Sequence, residues 1–182
     1  MATGFLGQLA LDRLSATRVW GALPQDVRAE AARAVYAGER EDPAARRLAD
    51  AAIAAALRFR EVAVQKLPLE RRVAHLSRIS HPDEALASSL LLALHLGSRR
   101  PMLAAFLDAL GIAHENGAIL DAGRLEPPSP EALSGACAAL SERFPPDHVE
   151  VYLASLLALD PDTWGGLRRG QSLNLQSGQG QD

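Results

Sequence analysis

Cysteine is almost absent from this chain. Cys137 stands alone among 182 residues, which excludes an internal disulfide and a cysteine-built zinc cluster. Its setting, Gly135-Ala136-Cys137-Ala138-Ala139, suits a small buried hydrophobe better than a reactive thiol. Lysine is as scarce: Lys66 is the only one, and arginine supplies every other basic side chain. Aromatic residues make up 4%. A helix needs roughly 20 apolar residues to cross a bilayer, and the most apolar stretch, Ala85 to Leu96, has twelve. The first fourteen residues carry Gln8 and Asp12 inside their apolar stretch and have no basic region before it, so they lack the pattern of a secretory signal. The expected address is the cytoplasm, with no membrane involved.

The sequence motifs that announce chemistry are missing as well. There is no His-Glu-x-x-His and no pair of histidines one helical turn apart, so the one-helix zinc geometry is not available. No serine sits in Gly-x-Ser-x-Gly. The stretch Gly165-Gly166-Leu167-Arg168-Arg169-Gly170 is glycine-rich and basic but lacks the strand and helix that frame a phosphate loop. No metal and no cofactor is implied, and no catalytic residue stands out.

What is present is helix-forming material. Hydrophobic residues reach 48% and charged residues 23%, ordinary values for a globular chain, and alanine and leucine, the strongest helix formers, are abundant. Proline and glycine punctuate the sequence at helix boundaries. A first helix is expected from Phe5 to Trp20, and Pro24 opens a second that stops near Gly38. Asp42-Pro43 starts a third, whose apolar residues recur at 3-4 spacing from Ala45 to Leu57 and which is read on to Lys66. Pro68 begins a shorter helix with Leu69, Val73, Leu76 and Ile79 inward, and Ser80-His81-Pro82-Asp83 opens another that closes at Gly97. Pro101 to Leu110 follows, ended by Gly111. Asn116-Gly117 predicts a tight turn and a miniature hairpin within 112–119. Ser129-Pro130, Pro146 and Asp160-Pro161 start the last helices. The fold class is therefore all-α: a single-domain helical bundle or short helical-hairpin array of about eight helices. The domain is read as 1–167 and a disordered polar tail as 168–182. The helices Ala85–Leu96 and Met102–Leu110 are apolar nearly all round, so both are placed at the centre, with Leu92 and Phe106 in the core.

Net charge is −3 but unevenly spread. Residues 58–100 hold eight basic and four acidic residues, a balance of +4; residues 101–182 hold four and eleven, a balance of −7. Arg71, His75 and Arg78 fall on one helical face, and Arg99-Arg100 follow the apolar helix. This basic face is the candidate partner-binding surface. It would dock an acidic protein surface, including the −7 half of a second copy of the chain. Phe59 is the only aromatic residue in the basic segment, and the overall charge is acidic, which argues against nucleic acid.

A second polar cluster is His114-Glu115-Asn116, where an imidazole and a carboxylate could form an acid–base pair. Neighbours in an extended strand point to opposite faces, however, and the turn accounts for these residue types. The sequence thus predicts a non-enzymatic interaction or scaffold module. The alternatives are an enzyme or small-ligand binder centred on His114 and Glu115, and a nucleic-acid-associated regulator using the basic 58–100 face.

Overall fold

Side-chain caps set where half of the described helices begin. The computed structural model describes residues 14–37 and 42–168. Among them are ten α-helices and a two-stranded hairpin, so the protein is all-α. Ser15, Asp42, Asp83, Ser129 and Asp160 each accept a hydrogen bond from an amide in the first turn that follows, at 2.8–3.3 Å. Such caps satisfy the amides that a helix start leaves without partners.

The chain folds as two compact units, Ser15–Arg99 and the described residues from Arg100 onward. The first holds α1 (Ala16–Ala22), α2 (Gln25–Ala37), α3 (Pro43–Leu57), α4 (Glu61–Gln65), α5 (Leu69–Arg78) and α6 (Glu84–Ser98). Helix α2 packs on α5 and α6, α1 on α6, and α3 on α4, α5 and α6. The core includes Trp20, Ile53, Leu76, Leu86, Leu90, Leu91 and Leu94.

The second unit holds α7 (Arg100–Leu110), β1 (His114–Glu115), β2 (Ala118–Ile119), a 3-10 turn at Ala122–Arg124, α8 (Pro130–Arg143), α9 (Pro146–Leu159) and α10 (Pro161–Trp164). Phe106 lies at its core, edge-on to Tyr152 with ring centroids 5.4 Å apart and 5.8 Å from the Trp164 ring. The predicted hairpin is there: His114 pairs with Ile119 and Glu115 with Ala118. Asn116 and Gly117 both have positive φ, +47° and +83°, as a two-residue hairpin turn demands. A Cβ on Gly117 would also lie 2.8 Å from that of Leu103, so this glycine is required by packing on α7 as well as by the turn.

Several boundaries differ from the expectations. Residues 5–13 of the first expected helix lie outside the described residues, and α1 begins only at Ala16, where Ser15 is extended and caps it. The third helix stops at Leu57 rather than Lys66. Arg58 turns left-handed (φ +56°), and the amides of Arg58 and Phe59 bond back to the Ala55 and Ala54 carbonyls. That closes the helix as a glycine would, without a glycine. Helix α6 runs through Gly97 to Ser98. The two apolar helices, α6 and α7, belong to different units, and each supplies core residues to its own. Leu92 is not core: it is 49% exposed, while Leu90, Leu91 and Leu94 are buried. Leu167, the last residue of the expected domain, is buried. The tail from Arg169 lies outside the described residues.

Candidate functional site: a basic groove on the first unit

Helix α5 carries charge on one face and apolar residues on the other. Val73, Leu76 and Ser77 are buried, while Arg71 and Arg78 are exposed and His75 is half-buried between them. Three of the five residues assigned to the basic face therefore do share a surface. Arg99 does not: it is buried, and its guanidinium lies 3.5 Å from Glu30 of α2. Arg100 opens α7 in the other unit, where it is half-buried. Arg72, next to Arg71 in sequence, turns inward. Its guanidinium stacks 4.4 Å over the Tyr36 ring and lies 4.0 Å from Asp50, which accepts the Tyr36 hydroxyl at 2.8 Å. Burial, with the Asp50 carboxylate beside it, raises the Tyr36 pKa. This trio, with Tyr36 and Asp50 buried and Arg72 half-buried, ties α2, α3 and α5 together.

The basic face of α5 ends at an open groove of about 550 Å³. Ala56 and Leu57, from the end of α3, and Ile79 give it apolar surface; His75, Arg78, Ser80 and His81 give it polar walls. No carboxylate lines it. The Ser80 hydroxyl and His81 Nδ1 are 2.9 Å apart.

Helix α1 holds the wall in place. The Trp20 indole donates to the Ile79 carbonyl at 2.7 Å, and the Thr17 hydroxyl donates to the Pro82 carbonyl at 3.1 Å. Gly21 lets the chain pass: a Cβ there would sit 3.0 Å from the Ser80 carbonyl oxygen. In return, Glu84 of α6 caps α1, accepting from the Ala16 amide at 2.6 Å, the Thr17 amide at 3.1 Å and the Thr17 hydroxyl at 2.9 Å. Desolvation pushes the Glu84 carboxyl up, but these bonds to Ala16 and Thr17, with Ser15, outweigh it and hold the pKa below the ordinary carboxylate value.

The second polar cluster is assembled differently from the acid–base pair considered above. His114 Nδ1 accepts from the Gly117 amide at 3.2 Å, so the ring proton lies on Nε2, which faces Asp108 Oδ1 at 3.1 Å. Both ring nitrogens are thereby engaged in bracing the hairpin. Glu115 and Asn116 are exposed, and Glu115 occupies the other face of its strand. Cys137 is half-buried, and burial pushes its thiol up to about 11, the direction of an unreactive thiol.

The sequence missed Ile79, Ser80 and His81 as groove residues, and Asp108 as the histidine's partner. His81 was readable only as part of a helix start. Its meeting with the end of α3, some 24 positions earlier, is a tertiary fact with no local signal. Asp108 did carry one: an acid in the last turn of a helix, six residues before a lone histidine in a hairpin.

Among the described residues, no group of three or more His, Cys, Asp or Glu is placed to hold a metal ion, and no single helix is long and apolar enough to cross a membrane. No protein-family profile, curated protein or solved structure matches the chain.

Proposed function

We propose that this protein is a non-enzymatic interaction module whose groove, framed by α3, α5 and the 79–81 segment, docks an acidic protein segment bearing an aliphatic side chain. The observation that carries this reading is the composition of the groove: apolar residues flanked by Arg78, His75 and His81, with no carboxylate among the lining residues. An aliphatic side chain would bury against Ala56, Leu57 and Ile79. Flanking carboxylates would meet Arg78 and, two turns back on the same face, Arg71.

Arg58 adds support. It follows Leu57, is exposed, and holds a left-handed backbone that for a non-glycine residue costs about 1 kcal/mol. An arginine at a position where glycine would serve the backbone better places one more cation directly after Leu57, a residue of the groove.

The test is affinity purification from the native host with mass spectrometry, followed by binding of the Arg71→Glu/Arg78→Glu double variant to the partner recovered. Both side chains are exposed, so the fold should survive with a change of no more than about 0.5 kcal/mol. Binding should weaken, most strongly at low salt. Equal affinity of variant and wild type in low and physiological salt would remove the basic face from the function. Salt-sensitive binding of the wild type to an oligonucleotide, with no protein partner, would favour nucleic acid instead.

A further inference from the structure

We infer that the groove's occupant is a second copy of this chain, which inserts the loop that leaves the hairpin of its Arg100–Arg168 unit at Leu120. The inference rests on the reading of the groove given above and adds the identity of the partner.

The two units are opposite in charge. Residues 15–99 carry thirteen basic and ten acidic residues, whereas residues 100–168 carry four and ten. On the acidic unit one apolar side chain stands out: Leu120, directly after β2, is 63% exposed. Around it in sequence lie three exposed carboxylates, Glu115, Asp121 and Glu126, against one exposed cation, Arg124, whose guanidinium lies 3.6 Å from Asp121. An aliphatic side chain amid carboxylates is the chemistry that the groove is suited to receive.

Leu120 is also held in place. Its amide donates to the Ala113 carbonyl at 3.2 Å, extending the hairpin by one bond. The Asn116-Gly117 turn, with His114 bridging the Gly117 amide and Asp108, fixes the hairpin that carries it. A ligand ordered beforehand loses little conformational entropy on docking. The polar cluster at His114 thus acquires a role as a brace for a presented leucine. A short loop in a groove buries less area than a permanent interface, so the association is weak and depends on concentration.

Sedimentation of the full chain across a concentration series, at low and at physiological salt, tests this. The wild type should show a mass above the monomer that grows with concentration and shrinks with salt. Arg78→Glu and Asp121→Arg should each weaken self-association roughly tenfold, because each sets like charges against each other. Mixing these two variants restores opposite charges at both contacts, and association should return. Leu120→Ser, at a site too exposed to affect folding, should weaken association while leaving the circular dichroism spectrum unchanged. A wild type that remains monomeric at every concentration overturns the inference, even if it binds an acidic partner from its host through the groove. Self-association that survives all three variants, or a mixture that fails to recover, overturns it as well.

Discussion

Leu91 and Leu92 are neighbours on α6 with opposite fates, and they provide a matched test of the core. Leu91 is fully buried, whereas Leu92 is 49% exposed. Replacing either with alanine removes the same atoms and changes helix propensity by the same small amount, in alanine's favour. What differs is burial. At Leu91 the lost transfer energy combines with a cavity that its neighbours cannot fill, for roughly 3 kcal/mol. At Leu92 the side chain is already half in water, the site stays open to solvent, and the cost should stay below about 1 kcal/mol. Urea titration followed by far-ultraviolet circular dichroism resolves the difference: at a slope of about 2–3 kcal/mol per molar, Leu91→Ala should lower the midpoint by roughly 1–1.5 M. Leu92→Ala should move it by a few tenths. Equal costs, or a larger one at Leu92, would refute the placement of α6.

Phe106→Ala should cost roughly 3–5 kcal/mol, since it removes a buried ring that packs on Tyr152 and Trp164; a loss under about 1 kcal/mol in the same titration would contradict that core. Glu84→Gln should cost up to about 1 kcal/mol at neutral pH, a modest figure because the carboxylate is exposed. Its folded pKa lies below the ordinary 4.5, so its contribution is complete above that pH and fades as pH falls through it. Melting curves of variant and wild type should therefore converge in acid, and a gap independent of pH would show that charge is not the cause. Arg58→Gly should raise stability by about 0.5–1 kcal/mol, through relief of the left-handed strain, while weakening partner binding. A destabilised variant, or one that binds as well as wild type, would separate that strain from function.

The parts of this fold that were legible in the sequence are those decided locally. Asn116-Gly117 specified its turn because both positions need positive φ, and Asp42-Pro43, Ser129-Pro130 and Asp160-Pro161 each marked a helix start. The errors share a different cause. Helix α3 ended at Arg58 with no glycine to announce it, because the stop comes from backbone bonds that an arginine tolerates at a cost. Leu92 resembled its neighbours because the apolar pattern of α6 runs nearly all round, so periodicity could not say which side faces water. Asp83 was read as part of the start of its own helix. Asp83 does cap α6, but Glu84 reaches back across 68 positions to cap α1. The basic face was half legible: spacing on α5 gathers Arg71, His75 and Arg78, but no local rule could bury Arg99 against Glu30 or bring Ala56 and Leu57 beneath His81.

The groove owes its shape to residues that never line it. Trp20 and Thr17 hold the carbonyls of Ile79 and Pro82, Gly21 makes room for Ser80, and Glu84 secures the helix from which those bonds are made. The Trp20 bond leaves neither a buried indole donor nor the Ile79 carbonyl unsatisfied, an arrangement costly to disrupt. The wall is consequently formed before any ligand arrives, just as His114 fixes the hairpin that presents Leu120. When both surfaces are ordered in advance, little of the interaction energy goes into ordering them, and affinity depends on contact area and charge. The area is small here, so charge should dominate. Raised salt should then act mainly by slowing association, because exposed arginines and carboxylates steer the encounter more than they hold the complex together.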